Sequence, residues 1–210
     1  MIPCHPRDDA ALQRLVASIG RQAFPREDLE ILLQYQGNSE EAKAYGILRA
    51  RGAIVGMLCT DNQLLGNTFL QEMVSAASAP GVVGAYTRHY AWMVEDPPLN
   101  RYFALLGAND PLCWWLGRAD RRSYLDAGGT GEQCERVVFT GRLPSLGDNG
   151  CFFKGEALRC VVRDPATFGS CMDMCEDLRR QGHATYTIVP TTLWHRSGLS
   201  WRRYFVKRWR

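Results

Sequence analysis

An α/β fold, with a mainly parallel sheet covered by helices on both faces, is predicted by two features of the sequence. Short apolar runs bounded by turn residues occur at 29–33, 53–58, 82–87 and 184–189, and the stretches between several of them place apolar residues three and four positions apart. Strands alternating with amphipathic helices are the pattern of crossover units, which bury a sheet on both sides.

Leu12, Leu15, Val16 and Ile19 recur at helical spacing behind Asp8, and Gly20 closes the segment, so 8–20 is expected to be a helix with an aspartate cap. After a turn at Pro25, residues 29–33 form a short buried strand, and Ser39-Glu40-Glu41 start a helix that continues to Arg51. The run 53–58 lies between Gly52 and the polar Asp61-Asn62, as a buried strand would. A helix over 67–78 and a strand over 82–87 follow. Beyond Thr87 the pattern weakens into Pro97-Pro98, an aromatic-rich stretch over 102–115 and the loop Gly128-Gly129-Thr130-Gly131, a region suited to substrate-specific structure. Regularity returns with a helix around 172–181, ended by Gly182, and a strand over 184–189 stopped by Pro190.

With 210 residues the chain suits one domain, which at this size buries about 70% of the surface its unfolded chain exposes. No apolar run approaches the roughly 18–20 residues that a membrane span requires. The opening Met1-Ile2-Pro3-Cys4-His5-Pro6 has no basic segment followed by an apolar stretch, so no secretory signal is read there and the expected compartment is the cytosol. Eight cysteines (4, 59, 113, 134, 151, 160, 171 and 175) lack the paired spacing of a zinc site and read as reduced core thiols.

Charge is uneven. Residues 196–210 hold Arg196, Arg202, Arg203, Lys207, Arg208 and Arg210 and no acid, and taking these six cations from the net +3 leaves the other 195 residues at −3. The body therefore gives nucleic acid no basic surface, which makes it an unlikely partner. In the tail, Trp201, Phe205 and Trp209 recur every four residues among the cations. That is the pattern of an interfacial helix at the inner face of a membrane, or of a terminal helix that docks its rings on the domain.

Ligands of open parallel sheets gather outside the carboxyl ends of the strands, where Cys59-Thr60-Asp61-Asn62 follows the run 53–58. Asp61 there suits a divalent cation that neutralises a diphosphate, although local chemistry alone favours a turn-initiating aspartate. His195 reads as a ligand or as a packed histidine. Asp173, Glu176 and Asp177 read as a reactive edge or as a solvated helical face. Asp110 and Asp120 shape a pocket, or else form a cap and a salt bridge.

The order of these features resembles the family-2-like glycosyltransferases of the GT-A fold. Pro3-Cys4-His5-Pro6, the helix 8–20 and the run 29–33 are similar to that family's opening, which binds nucleotide base and ribose. Ala42-Lys43-Ala44-Tyr45-Gly46-Ile47, then Ala50-Arg51-Gly52 and the stretch 54–61, resemble its run into the D-x-D strand. Leu143-Pro144-Ser145-Leu146-Gly147-Asp148-Asn149-Gly150 followed by Phe152-Phe153, then 172–182 and Trp194-His195, look like its acceptor-side loop, carboxylate helix and late histidine. The resemblance covers roughly 1–195, with its weakest stretch between 88 and 140, and leaves 196–210 as a basic aromatic helix.

It implies a GT-A-like, Rossmann-like domain that moves a sugar from a nucleoside-diphosphate-sugar donor to the hydroxyl of a glycan or lipid-linked acceptor with inversion. Pro3, His5, Thr60, Asp61, Asn149 and Gly150 would line the donor site, Asp61 and His195 would hold Mg2+ or Mn2+, and Asp173 would be the general base. The tail, over 199–210, would touch the membrane peripherally. Cys59 stands where the first acid of D-x-D is usual, and Ser170-Cys171 where many members carry an acidic pair. Those two departures fit the alternative of a non-catalytic nucleotide-sugar-binding or scaffold protein.

Overall fold

The computed structural model describes residues 1–4, 9–108, 110–126, 131–196 and 200–208. His5, Asp8, the stretch Gly128-Gly129-Thr130, Trp209 and Arg210 lie outside them.

At one edge, β1 (Ile2–Pro3) runs parallel to β2 (Leu33–Gln34). Met1 donates its backbone nitrogen to the Gly56 carbonyl at 2.8 Å, and its own carbonyl accepts from Leu58 at 3.1 Å. Bracketing of one residue by i−1 and i+1 of a neighbour is the parallel pattern, so β1 also lies beside β3 (Ile54–Met57). From there β3 pairs antiparallel with β7 (Cys151–Lys154), and β7 antiparallel with β5 (Gly84–Ala91). Next, β5 runs parallel to the long β8 (Thr185–His195). The outer edge of β8 is shared: its first half pairs with β6 (Glu135–Val138) and its end with β4 (Asn62–Leu64), both antiparallel.

The sheet is thus mixed, which corrects the mainly parallel expectation. Parallel neighbours need a crossover that carries the chain back to its starting end. Here β7 is entered from the irregular segment at the carboxyl end of β3, because Cys151 stands opposite Met57. Likewise β4 begins only five residues after β3 ends, too soon for a crossover, and leaves for the far edge.

Two further expectations shift. The strand placed at 29–33 is β2 at Leu33–Gln34, since ladder partners exist only opposite Ile2 and Pro3. The strand stopped by Pro190 instead continues to His195. Thr87 faces Val189 but His89 faces Thr192, so β8 carries one extra residue at Pro190, and a bulge is where a ladder tolerates a missing N–H.

Helices cover both faces. On one, α2 (Ser39–Arg49), α6 (Gly155–Val161) and α7 (Cys171–Arg180) supply Ala44, Ile47, Leu158, Met174 and Leu178 to a core with Val55, Phe153 and Ile188. On the other, α1 (Asp9–Gly20) and α3 (Phe69–Ser78) supply Leu15, Ile19, Phe69 and Met73 to a core with Ala85, Phe152 and Val189. Adjacent strand residues such as Phe152 and Phe153 go to opposite cores, as the two-residue period of a strand requires. All eight residues of β5 are buried, consistent with its central place. Helices α4 (Pro98–Leu106), α5 (Pro111–Trp115) and α8 (Trp201–Arg208) complete the α-helices among the described residues.

Candidate functional site

The turn after β3 is locked by Asn62, a buried side chain whose Oδ1 accepts from the Cys59 N–H at 2.9 Å. Asp61 precedes it, and the β4–β8 register puts Asn62 opposite His195. The imidazole Nε2 of His195 comes within 3.2 Å of Asp61 Oδ2, although 134 residues separate the two in sequence, and Arg196 donates its backbone N–H to the Asp61 carbonyl at 2.9 Å. Burial pushes the His195 pKa down, but the carboxylates of Asp61 and Asp120 outweigh it and hold the ring above its ordinary 6.5. Thr60 lies in the same turn.

The second arm is the loop before β7. Asn149 has φ of 53°, between Gly147 at 124° and Gly150 at 82°, a run of left-handed backbone that favours glycine and asparagine. Asn149 Oδ1 accepts from Asn62 Nδ2 at 3.1 Å, its carbonyl accepts from Arg121 at 2.7 Å, and Gly150 donates to the Met57 carbonyl at 2.8 Å. Asp148 between them pairs with the buried Lys43 at 2.8 Å and accepts from the Cys171 thiol at 3.2 Å. Lys43 also reaches Glu40 at 2.6 Å. Burial opposes the Lys43 charge, but Cys171 and Asp148 outweigh it, so the ammonium keeps its proton more tightly than an ordinary lysine. Burial, with Asp148 and Asp61 nearby, raises the Cys59 pKa well above the usual thiol range, so Cys59 is a neutral thiol here.

Beneath these arms Arg121 lies over the rings of Tyr90 (4.8 Å) and Tyr86 (5.4 Å) and donates to Thr87 Oγ1 at 2.8 Å. Tyr90 donates its hydroxyl to Asp120. Burial lifts the Asp120 carboxyl above its ordinary range, against the pull of Arg121 and Tyr90. Arg121 and Asp120 form a salt bridge at 3.5 Å, and Asp110 caps α5 by accepting from the Leu112 N–H.

Asp61, His195, Asn149 and Gly150 thus meet at the carboxyl ends of β3 and β8. Asp173 stands apart, in the first turn of α7, where Ser170 Oγ accepts from its N–H at 3.2 Å and donates to its carboxylate at 2.8 Å. It lines a cavity of about 520 Å³ with Arg118, Arg142 and Arg179, which Asp61 does not line. The link between the two regions is Cys171, which opens α7 and touches Asp148. Pro3 sits in β1, and His5 lies outside the described residues.

Sequence reasoning missed Lys43 and Arg121 as parts of this site. Lys43 had a visible signal, since it stands between Ala42 and Ala44 and four residues before Ile47 on the apolar side of α2. Arg121 had none, because it falls in the irregular stretch.

Among the described residues no group of three or more His, Cys, Asp or Glu side chains is placed to hold a metal ion. Asp61 and His195 supply two donors. Mg2+ and similar cations commonly take one or two protein ligands and complete their shell with substrate phosphates and water, so this pair fits a cation that arrives with a diphosphate.

No family model and no curated protein matches the chain in sequence. In structure it is similar to the mannosyltransferase PcManGT from Pyrobaculum calidifontis, determined in complex with GDP-Man and Mn2+, with a TM-score of 0.60 and 14% identity. The match covers 99% of this chain and 58% of that one, so the chain spans less than two thirds of its neighbour's length. At that identity the likeness is one of fold: the chain has the fold of a glycosyltransferase.

Proposed function

We propose that the chain transfers a sugar from a nucleoside-diphosphate-sugar donor to the hydroxyl of a glycan or lipid-linked acceptor, with inversion. The observation that carries this is the approach of Asp61 and His195 at the carboxyl edge of the sheet, in a chain whose fold matches a glycosyltransferase over nearly its full length. Asp61 and His195 would hold Mg2+ or Mn2+, which when bound would supply positive charge to the departing diphosphate. Thr60, Asn149 and Gly150, with Pro3 from the opening segment, contact the donor. Asp173, in the cavity that Cys171 links to the Asp148 loop, takes the proton of an acceptor hydroxyl reaching across from that side as its oxygen attacks the anomeric carbon, and the carbon–oxygen bond to the diphosphate breaks.

The test is release of nucleoside diphosphate in Mn2+ across a panel of nucleotide sugars. The native protein should turn over at least one donor, and Asp61→Ala and Asp173→Asn should each lower its rate by about 100-fold or more. Turnover unchanged in both variants would overturn the assignment.

Cys59 favours a second reading, that of a non-catalytic nucleotide-sugar-binding or scaffold module. It is a neutral, half-buried thiol where the resembled family carries the first acid of its metal motif. Under that reading a donor raises the melting temperature but no nucleoside diphosphate appears.

A further inference from the structure

Helix α5 buries none of its residues, although its sequence is Pro-Leu-Cys-Trp-Trp. Trp115 is 75% exposed, and Leu112 and Leu116 flank it at 54% each. Solvent rarely meets so apolar a turn without a partner. Helix α8 is fastened beside it by Tyr204, whose ring lies 5.4 Å from Phe103 of α4 and whose hydroxyl donates to Asp110, the cap of α5, at 3.3 Å. Trp201 and Phe205 flank that anchor, stack at 6.2 Å and stay more than half exposed. The segment 196–210, to which α8 belongs, has six cations and no acid.

Just behind α5 the chain turns inward, with Arg118 donating its N–H to the Cys113 carbonyl. Arg118 and Arg142 both line the cavity that holds Asp173. Among the described residues neither guanidinium has a carboxylate partner, whereas Arg179, in the same cavity, is taken up by Glu176 at 2.7 Å and 2.8 Å. Among the described residues, the exposed rings of α5 and α8 therefore lie next to two guanidinium groups without a carboxylate partner, and α8 belongs by sequence to a segment of six cations.

We propose that α5 and α8 dock on an anionic bilayer, with their rings in the headgroup layer, while Arg118 and Arg142 receive a lipid phosphate in the cavity beside Asp173. Indole and phenyl rings suit the headgroup boundary, and the cationic segment is opposite in charge to the leaflet. Guanidinium pairs suit phosphate oxygens. As an account of the acceptor this rests on the transferase reading: a lipid carrying phosphate would bring its hydroxyl-bearing head to Asp173.

The test is co-sedimentation of the full chain, without donor or metal, with vesicles of phosphatidylcholine alone and of phosphatidylcholine mixed with phosphatidylglycerol. Binding to the anionic vesicles should exceed binding to the neutral ones by at least about tenfold and should weaken as salt is raised. Trp115→Ser with Trp201→Ser should lower partitioning by about tenfold, and Arg118→Gln with Arg142→Gln should lower it on anionic vesicles alone. All four side chains are exposed, and an unchanged melting temperature and circular dichroism spectrum confirm that the variants fold. Equal binding to both vesicle types, ring variants that bind like the native chain, or retention on duplex DNA in place of vesicles would each overturn the proposal. Vesicle binding here with no nucleoside diphosphate release in the separate donor assay would sink the transferase reading alone, and release in that assay without vesicle binding here would sink this proposal alone.

Discussion

The Asp61–His195 contact makes a charge-dependent link between two parts of the chain distant in sequence. The folded pKa of His195 lies above its unfolded 6.5, so the pair's stabilisation is fully present below 6.5 and is lost as pH rises through the folded value. In an NMR titration His195 should therefore change charge above 6.5, and Asp61→Asn should bring that midpoint down, since burial then acts with less opposition. Lys43 offers a second test. Its side chain is 4% exposed and its partner Asp148 39% exposed, so Lys43→Ala breaks a pair that is only half desolvated. A loss of about 2–3 kcal/mol in urea unfolding is expected, below the range for fully buried pairs, and Lys43→Met with Asp148→Asn should recover part of it. Loss in the double variant equal to the sum of the singles would show that the two residues do not act together. Asp61 could be singled out from the sequence because it follows an apolar run, where polar residues have few other reasons to stand. By contrast, Asn149 and Gly150, which precede β7, and His195, five residues beyond the expected strand end at Pro190, were singled out by the resemblance alone. Lys43 carried a signal in its place on the apolar side of α2, but a lysine inside a helix ordinarily points to water, and its burial became readable only once Asp148 was in place beside it.

Helices α2, α3 and α7 were legible within two residues at each end, because caps and apolar spacing are local properties. Strand direction was not. An apolar run such as 53–58 states that it is buried and says nothing of the strand beside it, so the insertion of β7 between β3 and β5 had no sequence signal. The aromatic stretch was legible as unusual and illegible as α4 and α5, whose proline starts look like breaks. At this scale the loop before β7 gives a sharp prediction. A Cβ on Gly147 would stand 2.5 Å from the Cys171 Cβ, at a φ of 124°. Gly147→Ala should thus cost about 2–3 kcal/mol and, by moving Asp148 and Asn149, weaken donor binding as well. Full stability in Gly147→Ala would mean that the loop yields freely and does not set the site.

For the molecule as a whole, two cores on opposite faces of one sheet make ligand binding and folding report on each other. A nucleoside diphosphate that reaches Asp61 and His195 only with Mn2+ should raise the melting temperature only when both are present, by about 2.7 kcal/mol of stability at a hundredfold excess over Kd. Identical shifts without metal would argue against Asp61 and His195 as its ligands. The extra residue that β8 inserts at Pro190 has a consequence for this arrangement. Side chains of a strand alternate between its faces, so one inserted residue reverses the parity of everything after it. Without that insertion Leu193 would leave the core it shares with Tyr90, and the imidazole two positions later would turn to the opposite side of the sheet from Asp61. The orientation of the histidine is therefore decided five residues upstream, by a backbone irregularity that never touches it.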